Sequence, residues 1–233
     1  MASNFVEEAH RLLEFYYPFE ISTTISLDEK IMHMMDWTVK VHDILVASKI
    51  SRIQYIDAVH HSLLKGHVKL RAGVWTFLNN LAESGIPCLI FSAGVGNIVE
   101  EILVQEKLYE MYGTYEFGQI LYENIDSRIR TLLPPTVHTV SNRMKFTGPT
   151  LEGVIIGFDD LIFHVYNKQA TSILDSPFLK ENGWEERHNV LLLGDSLGNT
   201  PHNIVLATVT FRFSHYCLCL PLPRTTVRRF EYD

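Results

Sequence analysis

The sequence predicts an α/β protein in which a helical region precedes a parallel sheet. Two short runs of mostly apolar residues, 87–91 and 189–193, have the composition of strands that are buried on both faces. Each run leads into a polar loop that contains glycine, and helical periodicity follows the first loop. Strand–loop–helix units of this kind connect parallel strands through right-handed crossovers. A chain of 233 residues can form one large α/β domain, or a core domain with a small cap.

The first 66 residues predict three helices. An amphipathic pattern begins near the amino terminus and is expected to end at a turn around Pro18. Ser26 and Ser51 each stand three residues before a Glu or Gln, which is the spacing of an N-terminal helix cap. Gly66 is expected to end the third helix.

The remaining segments alternate between helices and strands. Helices are expected at 74–83 and 97–108, and a hairpin at 154–165 around two consecutive aspartates. Residues 109–134 have no clear period and are interpreted as an inserted loop. Residues 205–233 begin with a strand-like pattern and end in a basic tail.

Charge and cysteine content exclude several classes of protein. There are 27 acidic and 20 basic residues, so no basic surplus exists for non-specific binding to nucleic acid or to an anionic membrane. A small phosphorylated ligand remains possible, because it needs only a few local cations. Cys88, Cys217 and Cys219 make neither a disulfide framework nor a zinc knuckle. With no targeting signal and no apolar stretch suited to a bilayer, we expect a cytoplasmic protein.

Three polar features follow predicted strands, where α/β sheets bind ligands. Ser92-Ala93-Gly94 offers a hydroxyl and backbone N–H groups ahead of a helix, which favours a phosphate; alternatively Ser92 only caps that helix. Asp195 has the carboxylate that Mg²⁺ prefers, or it is a helix cap. Lys168 either offsets phosphate charge or is a solvated surface lysine. Glycine motifs for dinucleotides or for a P-loop do not occur.

Several stretches of the chain resemble the cytosolic 5′-nucleotidase III family, which comprises the pyrimidine and 7-methylguanosine-phosphate 5′-nucleotidases of the haloacid dehalogenase superfamily. The stretches that carry the resemblance are Ile90–Leu103, Val140–Phe146, His164–Lys168 and Val190–Gly198, with Tyr16–Ile21 and Met35–His42 resembling the family's cap. Together the resemblance covers roughly residues 10–108 and 135–204 in the family's order.

The resemblance implies a haloacid dehalogenase-like fold, a Rossmannoid parallel sheet with a helical cap. Residues 1–68 would form part of the cap. Residues 69–233 would form the core without its first strand, with an insertion near 109–134 and a divergent tail from residue 205.

It also implies a Mg²⁺-dependent hydrolysis of nucleoside 5′-monophosphates (CMP, UMP or 7-methyl-GMP) through a phosphoaspartyl intermediate. Ser92 and the Ala93 backbone match the phosphate-binding motif of the family, and Lys168 matches the lysine that stabilises the phosphoryl group. Asp195 matches a metal ligand.

In the cap, Glu20 matches the acid that contacts the base and Trp37 matches an aromatic residue beside it. A carboxylate that accepts from an exocyclic amine, together with a stacking ring, makes a suitable nucleobase pocket.

The sequence departs from the family in its first motif, a strand that ends in Asp-x-Asp-x-Thr and supplies the nucleophile. No Asp-x-Asp occurs in the 233 residues, and the motif would have to precede residue 1. Asn199 replaces a second acid, and Thr38 and Val41 replace pocket residues of some members. Because the first motif lies on a central strand in this family, we expect unpaired inner strand edges in the sheet.

Three hypotheses follow. The first is a truncated or alternatively spliced form of a 5′-nucleotidase. The second is a non-catalytic nucleotide-binding or regulatory paralogue that keeps the pocket but not the nucleophile. The third is a structural protein that pairs its open sheet with another chain.

Overall fold

A computed structural model of the chain describes residues 2–112, 132–168, 176–182, 191–193 and 216–220. In chain order the elements are α1 Ala2–Ile21, α2 Leu27–Ser48, α3 Arg52–Leu64, α4 Val74–Glu83, β1 Cys88–Val95, α5 Gly96–Tyr112, β2 Val137–Asn142, β3 Met144–Phe146, β4 Ile155–Phe158, α6 Pro177–Glu181, β5 Leu191–Leu193 and β6 Tyr216–Leu220. The predicted α/β class is confirmed. The predicted boundary between a cap and a core at residue 68 stays a prediction.

Local capping signals determine where α2 and α3 begin. The Ser26 hydroxyl accepts a hydrogen bond from the Glu29 N–H at 3.2 Å. Ser51 and Gln54 form a reciprocal capping box, as the spacing predicts. Gly66, with a φ of +68°, follows the C-cap of α3 in the left-handed conformation that glycine favours.

The predicted turn around Pro18 is wrong, because α1 continues to Ile21 with Pro18 inside the helix. Only three residues follow Pro18 in the helix, so the hydrogen bond that proline removes lies in the last turn. The fully buried Tyr16 packs between α1 and α2 and holds this turn in place.

The polar loop predicted to follow residue 91 is replaced by an extension of β1 to Val95, and α5 begins directly at Gly96. The pairing of β1 with β2 is regular from Cys88 to Phe91 and then shifts before Val95, as in a β-bulge. A bulge bends a strand and re-aims its residues, so this segment still turns away from the ladder. At its other end α5 reaches Tyr112, four residues into the predicted insertion.

The main sheet has the strand order β2-β1-β6-β5. β1 and β2 are parallel, which confirms the expectation of parallel strands in the sheet. β6 is antiparallel to both β1 and β5, so the sheet is mixed. The expectation of unpaired inner edges is therefore wrong, because β6 pairs with both neighbouring strands. The strand-like residues 208–213, which prompted a strand prediction for the tail, lie outside the described part of the chain.

The predicted hairpin of 154–158 with 161–165 is wrong, since β4 pairs with β3 instead. The backbone explains the choice: the Ile155 N–H donates to the Ile50 carbonyl at 2.9 Å, which ties β4 to the loop between α2 and α3. Ile155 is fully buried there, in a cluster with Leu45 and Tyr55. Met144 of β3 belongs to the same cluster, so the burial of Ile155 favours the pairing of β4 with β3.

A second cluster of buried residues lies between β1, α4 and α5 and forms the core beneath the main sheet. Its members are Trp75, Leu78, Leu81, Cys88, Ile90, Val99, Leu103, Val104, Leu133, Val137 and Leu193. Of the helices in the described ranges, none combines the length and the hydropathy that crossing a bilayer requires.

Candidate functional site

A cavity of about 220 Å³ lies between α2 and the carboxyl end of β1. The cavity is lined by residues of α2, of the bulged end of β1 and of the loop that follows β4. The lining residues are Met34, Trp37, Thr38, Val41, His42, Ala93, Gly94, Val95, His164 and Val165. Two of the predicted site residues, Trp37 and Ala93, thus meet in one cavity although they are distant in the sequence.

The position of Trp37 in the cavity depends on Tyr16 of α1. The two rings stack with centroids 6.0 Å apart and planes inclined by 11°. The Tyr16 hydroxyl donates to the Asp36 carboxylate and accepts from the Lys40 ammonium, which also pairs with Asp36 at 2.7 Å. Burial, together with the hydrogen bond to Asp36, raises the pKa of Tyr16, so the phenol stays protonated and donating. Trp37 is therefore a pre-positioned aromatic face.

The predicted phosphate-binding segment forms the bulged last part of β1. Ser92 is fully buried, and its hydroxyl oxygen accepts the Gly94 N–H at 3.0 Å. That contact uses an oxygen lone pair and leaves the hydroxyl proton available to donate. The next helix, α5, begins at Gly96, and its N-terminal turn carries the positive end of the helix dipole.

Asn142 connects this segment to the loop that leads to Lys168. Its amide nitrogen donates to the Ala93 carbonyl at 2.7 Å and to the Phe163 carbonyl at 2.8 Å. Its amide oxygen accepts the Phe163 N–H at 2.8 Å. With an exposed fraction of 2%, Asn142 is a buried clamp between two loops.

Two histidines line the cavity and both are neutral near pH 7. Burial lowers the pKa of His42 to about 4, and the ring stacks on Phe158 with centroids 3.7 Å apart. Burial also lowers the pKa of His164, whose Nδ1 accepts the Tyr166 N–H at 3.3 Å. Neither ring therefore supplies positive charge to a phosphate, which leaves that task to other groups.

The helical region and the loop of Lys168 are connected through the backbone of Glu20. The Tyr166 hydroxyl donates to the Glu20 carbonyl at 2.7 Å, and the Lys30 ammonium donates to the same carbonyl at 3.0 Å. Tyr166 is two residues before Lys168, which is half-buried. The two predicted residues Glu20 and Lys168 thus lie on segments that are hydrogen-bonded to each other, although neither lines the cavity.

The predicted metal ligand Asp195 lies outside the described residues. Across the described ranges, which omit 183–190 and 194–215, no group of three or more His, Cys, Asp or Glu residues is placed to hold a metal ion. Cys88 is buried, and burial raises the pKa of its thiol to about 12, so the thiol stays protonated near neutral pH.

Sequence reasoning missed four residues of this site: His42, His164, Asn142 and Tyr166. All four lie in the stretches that resemble the nucleotidase family, so the resemblance marked their segments but gave them no role. Their roles depend on contacts across 49 residues for Asn142 and Ala93, and across 146 residues for Tyr166 and Glu20. No local pattern indicates such contacts.

We expect Tyr166→Phe to weaken the nucleotide binding that the family resemblance implies about 3- to 10-fold, because the loss of one hydrogen bond worth about 0.5–1.5 kcal/mol loosens the contact between the two segments. Calorimetric titration with CMP measures the effect. Tyr17→Phe is the matched control, since Tyr17 is exposed on the same helix as Glu20. Equal affinities of the two variants would contradict a role for the Tyr166 hydroxyl.

Comparison with known proteins gives the family. The sequence profile described as pyrimidine 5′-nucleotidase (UMPH-1) matches residues 1–112 and 116–209. The chain belongs to the pyrimidine 5′-nucleotidase (UMPH-1) family. The match reaches beyond the residues that carry the resemblance, into segment 109–134 and the start of the tail.

Curated members of the pyrimidine 5′-nucleotidase family support the assignment. A Homo sapiens protein named 7-methylguanosine phosphate-specific 5′-nucleotidase is 34% identical over 193 residues, which cover 83% of this chain and 53% of the human protein. A Drosophila melanogaster protein of the same name is 25% identical over 221 residues, covering 92% of this chain and 59% of that protein. The chain thus spans about half the length of the human relative.

Among solved structures, cytosolic 5′-nucleotidase IIIB bound to cytidine superposes with a TM-score of 0.63 and 24% identity, over 88% of this chain and 60% of that one. This likeness confirms the haloacid dehalogenase-like fold. The family match and the names of these relatives confirm the predicted resemblance to the 5′-nucleotidases.

Proposed function

We propose that this protein is a Mg²⁺-dependent 5′-nucleotidase for nucleoside 5′-monophosphates, and that the 233-residue chain is an impaired form that binds these nucleotides without efficient hydrolysis. The observation that carries the proposal is the cavity in which Trp37 of the helical region meets Ala93 and Gly94 of the predicted phosphate segment. An aromatic face and a phosphate-binding turn in one cavity are the two features that a nucleotide requires.

The base would bind at the α2 side of the cavity. Trp37 offers a ring for stacking, and Met34 and Val41 supply apolar contacts. The Glu20 carboxylate, at the end of α1, would accept from the exocyclic amine of a base. The relatives named for 7-methylguanosine phosphate and the structure bound to cytidine support bases of this kind.

The phosphate would bind at the β1 side. The Ser92 hydroxyl, the Ala93 N–H and the N-terminal turn of α5 favour an anion by hydrogen bonding and by the helix dipole. Lys168 would offset the remaining charge. The neutral histidines of the cavity make this lysine more important, because they contribute no charge of their own.

Mg²⁺ in this proposal rests on Asp195 and on family membership. A single carboxylate can hold Mg²⁺ together with waters and a substrate phosphate, so the donor is of the right kind. The ion would neutralise phosphate charge. Since the described residues include no further ligand cluster, we expect weak Mg²⁺ binding without nucleotide. We also propose a cytosolic location, which the absence of a disulfide framework supports.

A second candidate function is nucleotide binding for regulation, without hydrolysis in any form of the protein. It is favoured by the absence of Asp-x-Asp from the 233 residues. The two candidates predict the same binding site and differ in whether added sequence restores turnover. The third hypothesis, an open sheet that pairs with another chain, loses its basis because β6 pairs with both β1 and β5.

Titration with CMP in the presence of Mg²⁺ tests the proposed site. We expect Lys168→Ala to lower affinity at least about 10-fold, since a charge-assisted hydrogen bond contributes roughly 1.5–3 kcal/mol. Lys65→Ala, at an exposed lysine after α3, is the control and should bind as the parent does. Unchanged affinity in Lys168→Ala would place this lysine outside the site, and no binding by the parent would refute the proposed function.

Base selectivity tests the role of Glu20. A carboxylate accepts hydrogen bonds only, so we expect CMP and 7-methyl-GMP to bind more tightly than UMP. Trp37 adds a cation–π contribution for the methylated purine, of about 0.5–2 kcal/mol. Glu20→Gln should reduce this preference, whereas Glu14→Gln, exposed on the same helix, should not. Tightest binding of UMP, or an unchanged ranking in Glu20→Gln, would contradict the assignment.

A further inference from the structure

The middle of the main sheet is filled by a strand from the carboxyl-terminal part of the chain. β6 has Cα partners in β1 from Leu89↔Cys219 to Ser92↔Tyr216. On its other side it has partners in β5 from Leu191↔Leu220 to Leu193↔Leu218. β6 therefore makes backbone ladders on both edges, as only an inner strand does.

The direction of β6 determines what it can contribute to the site. Because β6 is antiparallel to both neighbours, β1 and β5 are parallel to each other. Their carboxyl ends lie at the edge of the sheet that carries Ser92, and in the sequence Asp195 follows two residues after the end of β5. At this edge β6 has its amino end, with Tyr216 opposite Ser92.

The flanking strands are deeply buried where β6 pairs with them. Leu89 and Phe91 of β1 and Leu193 of β5 have exposed fractions of 0%, 3% and 2%. Two buried strands separated by an empty position would leave backbone N–H and C=O groups without partners in the core, which is costly. Some strand must occupy this position for the sheet to be stable.

We propose that Tyr216–Leu220 is a substitute central strand, which closes the sheet of this chain and keeps a carboxylate-bearing parallel strand out of the position between β1 and β5. A strand that is parallel to β1 would place its last residues beside Ser92, where a nucleophile is needed. The antiparallel β6 places Tyr216 there instead. β6 thus occupies the position between β1 and β5, and any other strand that enters this position must displace it.

The register gives a sharp test, because Cys219 is a native cysteine opposite Leu89. Opposed Cα atoms in an antiparallel ladder are about 4.5–5.5 Å apart, within the range of a disulfide. Leu89→Cys should therefore form an intramolecular disulfide with Cys219 on mild oxidation, also when Cys217 is replaced by Ser. Leu89→Cys with Cys219→Ser should form none, and Ile90→Cys, whose partner is Leu218, should form none with Cys219.

Hydrogen exchange of the unmodified chain is the second measurement, because Leu89→Cys could fail to fold. Amides of residues 217–220 should exchange at least about 10²-fold more slowly than in an unstructured peptide, and those of β1 should do the same. A bond to Cys217 in a folded Leu89→Cys variant, or exchange of residues 217–220 at the unstructured rate, would overturn the proposal. Neither measurement involves a nucleotide, so the outcome is independent of the proposed binding function.

Discussion

The 233-residue chain should release phosphate from CMP or 7-methyl-GMP about 10⁶-fold more slowly than a 5′-nucleotidase that carries the Asp-x-Asp-x-Thr motif, even with saturating Mg²⁺. Loss of the nucleophile from a hydrolase that forms a covalent intermediate costs on the order of 10⁶ in rate, or ~8 kcal/mol of barrier. The described residues of the cavity include no carboxylate that could form a phosphoaspartate. Release of inorganic phosphate measures the rate.

Fusion of a strand that ends in Asp-x-Asp-x-Thr to the amino terminus should restore most of this rate. The matched control carries Asn-x-Asn in the same strand, which keeps the shape and removes both carboxylates. Only the aspartate version should hydrolyse nucleotides, and residues 217–220 should lose protection from hydrogen exchange in both versions as β6 is displaced. Turnover of about 1–10³ s⁻¹ by the unmodified chain would contradict the expectation.

The fold was predictable where the determinants are local. Ser51 and Gln54 are three residues apart, and they form the capping box that their spacing predicts. The apolar run at 87–91 lies in a buried strand as expected. The failures are strand pairings: β4 pairs with β3, which precedes it in the chain, and β6 enters between β1 and β5. A strand's sequence specifies that it is a strand much more strongly than it specifies its partner.

In the candidate site, too, residue types were predictable from the sequence, whereas contacts between distant residues were not. The residue types of Trp37 and of Ser92-Ala93-Gly94 predict stacking and anion binding, and the structure brings Trp37 and Ala93 into one cavity. Asn142 and Tyr166 were not predictable as site residues. A polar residue in a strand or loop has many surface roles, and only the fold places the Asn142 amide within 2.7 Å of the Ala93 carbonyl.

Asn142 is the position where substitution should have the largest effect on stability. Replacement by Leu keeps a similar volume but leaves the carbonyls of Ala93 and Phe163 and the Phe163 N–H without their partner. An unsatisfied buried polar group costs about 1–3 kcal/mol, so we expect a loss of about 3–5 kcal/mol. That is a large share of the roughly 5–15 kcal/mol that stabilises a typical domain. Urea unfolding measures the loss.

Asn142→Asp separates the hydrogen bonds from the packing, because it retains the shape and one acceptor but loses two donors. Its carboxylate would face two carbonyl oxygens in a buried site, so folding should favour the protonated acid, which can still donate one O–H. The folded variant then binds a proton more tightly than the unfolded chain does, and its stability should rise as the pH falls from 7 to about 4.5. The measured quantity is the difference between the unfolding free energies of the variant and of the parent at each pH.

Asn80→Asp is the control, since Asn80 is exposed on α4 and its carboxylate would remain solvated. It should lose little stability and show the parent's pH dependence. In Asn142→Asp, nucleotide affinity should fall together with stability, because the same amide positions the Ala93 turn and the loop before Lys168. If Asn142→Asp is as stable as Asn80→Asp at pH 7, the amide donors are not what holds these two loops together, and the positioning role of Asn142 is wrong.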